Sequence, residues 1–169
     1  MVKNLLLIKV KLGLKGTSEG FFLTITELII RSPKTEKEWE QYFHFRWGML
    51  RKPLGMSKNE GKDGIEQQSF HQMVTDKKKN IIGVGRVHFN NREQAQIRYM
   101  AVKESKQRAG IGTIIVHKLE EYSSKQKRKE VVLNSRENSK KFYMSLGYEE
   151  LGPFVSETGI PHVKMRKTL

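Results

Sequence analysis

The pattern of apolar and polar positions in the first half of the chain predicts one helix among four short strands. Residues 23–31, rich in Thr, Ile and Leu, are predicted to form the first strand, which Ser32-Pro33 ends. Thr35 and Glu38 have the spacing of a capping box, which predicts a helix from there to about Leu50. Three further strands are predicted at residues 69–76, 81–90 and 95–102. Their links have hairpin length, so we expect these strands to be antiparallel.

The second half of the chain adds helices between the strands. Its predicted elements are a helix over 111–122, a strand at 131–133, a helix over about 138–146 that ends before Gly147, and strands at 148–156 and 161–168. The resulting order is β-α-β-β-β-α-β-α-β-β. Because helices follow strands only in this half, the fold class predicted is α/β of the α+β type: a mixed, mostly antiparallel sheet flanked by helices.

Residues 1–24 are predicted to be an extension outside the core domain, which spans residues 25–169. The apolar run near the start is too short for a signal peptide, and lysines interrupt it. Residues 8–15 alternate apolar residues with Lys or Gly, which is a strand period. We therefore expect an extra edge strand or a flexible arm, and an edge strand could pair with another chain in a homodimer.

Composition and charge narrow the function classes. With 169 residues, 37% apolar and 30% charged, the chain is expected to fold as one soluble domain without a transmembrane span. The absence of cysteine excludes disulfides, thiolate metal sites and a cysteine nucleophile, and it fits a cytoplasmic protein. The net charge of +14 attracts polyanions, yet the basic residues are scattered, so nucleic-acid binding is disfavoured.

The turn at residues 107–113 predicts an anion site. Gly110 and Gly112 lie between a predicted strand and a predicted helix, where backbone N–H groups and the positive end of the helix can hold a phosphate. A Walker loop would need Gly-Lys-Ser/Thr at its end, and a dinucleotide fingerprint would need a third glycine; both are absent. The turn therefore predicts a pyrophosphate carried by some other ligand.

Two motifs resemble a known family. Gln107-x-x-Gly110-x-Gly112 is similar to the Gln/Arg-x-x-Gly-x-Gly/Ala signature of the GNAT acyl-CoA N-acyltransferase superfamily. Downstream, Asn134 to Tyr148 resembles the second block of that family, with Asn, then Phe-Tyr, then Leu-Gly-aromatic. The resemblance covers roughly residues 27–168 and implies a GNAT fold with splayed central strands. A narrower similarity, in Gly159 to Met165 and at Phe45-Arg46, is to the ElaA-like subfamily.

The resemblance implies acetyl-CoA as cosubstrate and assigns residues to it. Backbone groups on the predicted fourth core strand would bind the pantetheine arm, and one free N–H there would polarise the thioester carbonyl. Amides of the glycine turn would hold the pyrophosphate, with the Arg108 side chain adding charge. Asn138 would contact CoA or cap its helix. The residues implied in CoA binding are Met100, Ala101, Val102, Gln107, Arg108, Ala109, Gly110, Ile111, Gly112, Thr113 and Asn138.

The resemblance also implies catalytic groups. Tyr143 stands where family members carry a tyrosine that donates a proton to the departing CoA thiolate. Many members place a glutamate base on the fourth strand, but this chain has Gln96, Arg98 and Tyr99 there. His71 and His162 are the alternative bases, followed by Glu157, because histidine titrates near neutrality. No metal site is expected.

The function implied is N-acetyl transfer from acetyl-CoA to the amine of a small molecule or peptide. The missing carboxylate keeps a second possibility open, a GNAT-fold protein that binds CoA as a sensor or scaffold without turnover. A basic nucleic-acid-binding protein is a third. The acceptor, the oligomeric state and the role of residues 1–24 are left open by the sequence.

Overall fold

The structure is a computed structural model that describes residues 5–10, 24–156 and 158–169. It contains an eight-stranded sheet with strand order β1-β2-β3-β4-β5-β6-β8-β7. The strands are β1 (Leu5–Val10), β2 (Thr24–Arg31), β3 (Phe70–Thr75), β4 (Ile81–Phe89), β5 (Gln94–Val102), β6 (Glu130–Arg136), β7 (Glu149–Val155) and β8 (Pro161–Thr168). Neighbouring strands are antiparallel except β5 and β6, which are parallel. The predicted mixed, mostly antiparallel sheet is confirmed.

One helix, α1 (Glu36–Leu50), covers one face of the sheet. The predicted capping box begins it: Thr35 Oγ1 accepts a hydrogen bond from the Glu38 amide at 3.3 Å, and the Glu38 carboxylate accepts one from the Lys34 amide at 2.8 Å. Tyr42 is buried against β4, where its hydroxyl donates to the Gly85 carbonyl at 3.2 Å. The connection from α1 to β3 lies against the same face and contains three short 3-10 turns.

The opposite face of the sheet is covered by α2 (Ile111–Lys125) and α3 (Lys140–Ser145). The apolar stripe of α2 packs on β4 because two glycines leave room for it. A Cβ on Gly83 would lie 2.9 Å from Ile111 Cγ2, and a Cβ on Gly85 would lie 2.6 Å from Ile115 Cγ2. Gly147 ends α3 with a φ of +88°, as the sequence predicts.

The parallel strands β5 and β6 pair only at their beginnings. Their last paired residues are Ile97 and Leu133, and beyond them the two strands have no pairing with each other. A bulge in β5 lies at this point: Tyr99 has a φ of +55°, and the register against β4 shifts between Val84 and Arg86. The splayed central strands are therefore present, and the edge of β5 that faces β6 is open over residues 98–102.

Element boundaries differ from the predictions at a few places. β6 extends from Glu130 to Arg136 and is longer than the predicted strand, while α3 begins at Lys140 after a 3-10 turn over Glu137–Ser139. Within the predicted extension, β1 pairs with β2 at the edge of the sheet. The rest of that segment lies outside the described residues, and the division into extension and domain stays a prediction. No helix in the described ranges is long and apolar enough to span a membrane.

Candidate active site

A cleft of about 1140 Å³ opens where β5 and β6 separate. Its walls come from both strands, from the start of α2, from α3, from β8 and from the end of α1. Residues predicted from the sequence that line it are Met100, Ala101, Val102, Gln107, Arg108, Gly110, Gly112, Thr113, Asn138, Tyr143 and His162. Residues that are far apart in the chain and were predicted to bind CoA or to act in catalysis thus meet at one cavity.

The glycine turn forms one mouth of this cleft. Gly110 has a φ of +80° and precedes the first residue of α2, and Arg108 also has a positive φ of +61°. The amides of residues 111–113 belong to the first helical turn, where the N–H groups have no acceptor within the helix. No acidic residue lies in that turn, and Gln107 Nε2 holds the loop to β5 by donating to the Val102 carbonyl at 3.2 Å. The turn has the geometry and charge of an anion site.

Two residues of the predicted turn do not line the cleft. Ala109 is absent from its wall, and Ile111 is only 3% exposed because its side chain packs over Gly83. Both residues were predicted to bind the pyrophosphate through their backbone N–H groups. A side chain that is buried or points away from the cleft does not prevent this. Gly112 is held close to α3, since a Cβ there would lie 3.1 Å from Phe142 Cζ. This contact joins the start of α2 to the helix that carries Tyr143.

Tyr143 lies in the wall of the cleft on α3. It is 7% exposed, and burial raises the pKa of its hydroxyl well above the usual range, so the group stays protonated through neutral pH. Asn138 lies in the 3-10 turn just before α3, where its Oδ1 accepts from Ser139 Oγ at 3.2 Å. No side chain caps α3, so capping does not account for Asn138.

The two histidines predicted as bases have different positions. His162 lines the cleft at the start of β8, and its Nδ1 lies 2.7 Å from the Ile160 carbonyl oxygen. Because a carbonyl can only accept, Nδ1 is a donor in this contact, and Nε2 is the nitrogen that can accept a proton. Glu157, the third possible base, lies outside the described residues.

His71 does not reach the cleft. It is 2% exposed and lies under α1, with ring centroids 4.9 Å from Trp39 and 5.3 Å from Tyr42. Its Nε2 donates to the Glu66 carbonyl at 2.9 Å, and burial lowers its pKa, so the ring is neutral. The geometry therefore indicates a packing role for His71. The sequence could not reveal this, because β4 separates β3 from the strand that borders the cleft.

A cluster of arginines next to the cleft was not anticipated from the sequence. Four guanidinium groups surround the ring of Tyr99, at centroid distances of 3.9, 4.9, 5.2 and 5.4 Å. They belong to Arg46, Arg86, Arg98 and Arg51, and we call this set the Tyr99 arginine cluster. The signal in the sequence was weak: Arg86 interrupts the largely apolar strand β4, and Arg98 follows Ile97 in β5, which also contains glutamines.

Two carboxylates from the α1–β3 connection bind this cluster. Asp63 accepts two hydrogen bonds from Arg86, at 2.6 and 2.7 Å, and Glu66 accepts two from Arg46, at 2.6 and 3.1 Å. Burial acts to raise the pKa of Asp63, but the hydrogen bonds and charge of Arg86 outweigh it and lower that pKa below its usual range. For Glu66, burial is likewise outweighed by Arg46, and its pKa is lowered. Both carboxylates are therefore ionised at neutral pH.

Comparison with known proteins agrees with this geometry. The family model described as an acetyltransferase (GNAT) domain matches residues 55–169. The chain belongs to the GNAT family. The match includes β5, β6 and the start of α2, and the fold and the acyl-CoA-dependent N-acetyltransferase class predicted from the sequence are confirmed.

Individual GNAT relatives are distant in sequence. The chain is 29% identical over 136 residues to the uncharacterised N-acetyltransferase YjcF of Bacillus subtilis, covering 79% of this chain and 95% of YjcF. Escherichia coli ElaA superposes with a TM-score of 0.67 at 16% identity, covering 85% of this chain and 99% of ElaA. An aminoglycoside 6'-N-acetyltransferase complexed with coenzyme A gives 0.68 at 17%, covering 83% and 96%. Such identities show the fold alone, so membership of the ElaA-like subfamily stays a prediction.

Proposed function

We propose that this GNAT protein transfers the acetyl group of acetyl-CoA to the amine of an acceptor by direct attack on the thioester. The observation that carries the proposal is the opening between β5 and β6, with the start of α2 and its glycine turn at one mouth and Tyr143 in the wall. Acetyl-CoA supplies the activated acetyl group. The protein would bind the donor, position the amine next to it, take a proton from the amine and donate a proton to the departing thiolate.

The donor side is supported by backbone geometry. Amides of residues 111–113, with Arg108 beside them, would hold the pyrophosphate without a metal ion. Among the described residues no group of three His, Asp or Glu side chains could hold one. The open edge of β5 over residues 98–102 offers backbone groups to the pantetheine arm, and a strand N–H there would stabilise negative charge on the thioester oxygen.

Two side chains are proposed for the proton transfers. Tyr143 would donate its hydroxyl proton to the departing thiolate, and its raised pKa keeps that proton available at neutral pH. His162 would take the proton of the attacking amine, directly or through water, because its Nδ1–H bond to Ile160 leaves Nε2 free to accept. His71 is left out, since it does not line the cleft.

One observation supports a second candidate, a CoA-binding protein without turnover. Where many GNAT enzymes carry a glutamate, β5 has Gln96, Arg98 and Tyr99, and no carboxylate of β5 lies in the cleft. If His162 does not act as a base, the same site would bind CoA and release it unchanged. Activity with any amine separates the two candidates.

The first experiment measures CoA binding by thermal unfolding. At a CoA concentration of about 100 times Kd, binding stabilises the native state by about 2.7 kcal/mol. For a protein of this size that raises Tm by roughly 5–10 °C. The absence of a shift at saturating CoA would contradict the assignment.

The second experiment tests Tyr143 by release of free thiol from acetyl-CoA with a panel of amines. Tyr143→Phe should lower kcat by roughly 10²–10⁴-fold, the size typical of general acid catalysis. The rise in Tm with CoA should persist in that variant. Tyr122→Phe is the matched control, because Tyr122 stacks on Phe70, away from the residues that line the cleft. Equal turnover in both variants would refute the role of Tyr143.

A further inference from the structure

The Tyr99 arginine cluster carries more positive charge than its own carboxylates neutralise. Four guanidinium groups face two carboxylates, Asp63 and Glu66. Arg46 and Arg86 are 1% and 0% exposed; Arg46 donates two hydrogen bonds to Glu66, and Arg86 donates two to Asp63 and one to Glu66. The two carboxylates therefore neutralise the two buried arginines, and the excess positive charge of the cluster lies on its other two arginines.

Those other two, Arg98 and Arg51, line the cleft. Arg98 makes a single hydrogen bond to the cluster, from Nη1 to Asp63 Oδ2 at 3.1 Å, which leaves its other donors available. The cluster's carboxylates contact Arg46, Arg86 and Arg98 but not Arg51. Arg51 also has a buried Nε with no hydrogen-bond partner among the described residues. Guanidinium donors without acceptors in a partly buried site favour an anion.

Strand geometry places these groups on the side opposite the donor. Ala95 and Ile97 of β5 pack in the core with α2, so the alternate residue Arg98 points to the α1 face. On β8, Val163 packs in the same core, so Lys164 also points to the α1 face. The start of α2, which would hold the pyrophosphate, lies on the other face. An amine that reaches the thioester past α1 must pass these cations.

The charged residues that line the cleft are unevenly distributed between the α1 side and the donor end. The cations in the cleft are Arg51, Arg98, Arg108, Arg136 and Lys164. Among the described residues that line it, Glu104 is the only carboxylate, and it lies in the turn between β5 and α2, at the donor end. A polycationic acceptor would be repelled along the α1 side, whereas an anionic group would be attracted.

We propose that the acceptor is an amine that also carries an anionic group, a carboxylate or a phosphate, and that Arg51 and Arg98 bind this group on the α1 side of the cleft. The inference rests on the proposed function, because it names the substrate class of the same site. The bound anion neutralises the excess positive charge of the Tyr99 arginine cluster. It also holds the amine of the same molecule at a fixed distance from the thioester.

Matched pairs of acceptors test the inference. Phosphoethanolamine is compared with ethanolamine, and β-alanine with β-alaninamide, by kcat/KM with acetyl-CoA. The anionic member of at least one pair should be preferred by about tenfold or more, which corresponds to about 1.4 kcal/mol. The pair in which this preference is larger shows whether the site favours a phosphate or a carboxylate. The preference should shrink as salt is added, because screening weakens charge attraction.

Two variants locate the effect. Arg51→Gln should raise KM several-fold more for the acceptor that carries the anionic group than for its partner that lacks it, and it should leave the ion pairs of Asp63 and Glu66 in place, because neither carboxylate contacts Arg51. Lys37→Gln is the matched control: it removes one charge from the exposed first turn of α1, about 20 Å along the helix from Arg51. A selective loss in Arg51→Gln supports the proposal, and an equal loss in both variants contradicts it.

A binding measurement decides the question even where no acceptor in the panel turns over. With the protein saturated by CoA, phosphoethanolamine or β-alanine should raise Tm further, and the partner that lacks the anionic group should not. Equal effects on both rate and Tm of the acceptors with and without an anionic group would overturn the inference while leaving the proposed function intact. Failure of CoA itself to raise Tm would overturn the proposed function, and the inference with it.

Discussion

Replacing Gly85 with alanine tests whether α2 is held against β4 as closely as the structure indicates. An added Cβ would lie 2.5 Å from Met100 Sδ, 2.6 Å from Ile115 Cγ2 and 3.1 Å from Leu119 Cδ1. The methionine is flexible, but Ile115 and Leu119 are both 0% exposed and have no room to move. Overpacking of this kind costs about 1–3 kcal/mol, and three close contacts favour the upper end.

The net effect is smaller, because alanine restricts the unfolded chain more than glycine does. That gain is roughly 0.5–1 kcal/mol, so Gly85→Ala should lower the free energy of unfolding by about 2 kcal/mol. The expected fall in Tm is roughly 4–8 °C. Gly48→Ala is the control with the opposite sign. It lies inside α1 with nothing within 4 Å of an added Cβ, so it should raise stability by roughly 0.5–1 kcal/mol.

Urea unfolding followed by circular dichroism measures both variants. The midpoint should fall for Gly85→Ala and rise for Gly48→Ala, with the slope m unchanged in each. A Gly85→Ala protein as stable as Gly48→Ala would refute the close approach of α2 to β4. Because Met100 also lines the cleft, the clash should in addition weaken CoA binding, which the CoA-induced rise in Tm reports.

Three further predictions concern the cleft and its supports. Gly112→Val should weaken CoA binding, seen as a smaller CoA-induced rise in Tm, because its Cβ would lie 3.1 Å from Phe142 Cζ and push α3 away from α2. Asp63→Asn should lower stability at pH 7 by about 3 kcal/mol or more, since it leaves the buried Arg86 without its main counter-charge. The native state lowers the pKa of Asp63, so this carboxylate stabilises the fold at pH values above its unfolded pKa of roughly 4, and the stabilisation is lost as the pH falls further. Between pH 6 and 3 the urea midpoint should therefore fall less steeply in Asp63→Asn than in the parent protein. His162→Gln should lower kcat in the thiol-release assay and leave the CoA-induced rise in Tm unchanged, because His162 lies on β8, away from the start of α2.

The elements of the domain could be read from the chain because each has a local cause. The capping box at Thr35 and Glu38 begins α1, and Gly147 ends α3, as their positions in the sequence predict. The strands β3, β4 and β5 are joined by links of hairpin length, so their antiparallel pairing could be predicted from the lengths of those links. Boundaries were less certain where a 3-10 turn precedes a helix, as before α3.

The positions of the two histidines relative to the cleft could not be predicted from local sequence patterns. His71 and His162 looked equivalent, since each lies near the end of a predicted strand. Strand order separates them: β3 is two strands away from the open edge of β5, whereas β8 pairs with β6 beside the cleft. Distance from a site depends on which strands are neighbours, and the sequence does not record this directly.

The sequence by itself determined the family, the glycine turn that we propose as the donor site, and the place of Tyr143 on the helix that Gly147 ends. These depend on short motifs whose backbone conformation follows from nearby residues, above all the glycines that free the first amides of α2. Only the tertiary structure brought Arg51 at the end of α1 and Arg98 on β5 around Tyr99, next to carboxylates from the α1–β3 connection. Such a cluster arises from contacts across the sheet and between distant segments, because charge balance at a site is a sum over neighbours in space and not along the chain.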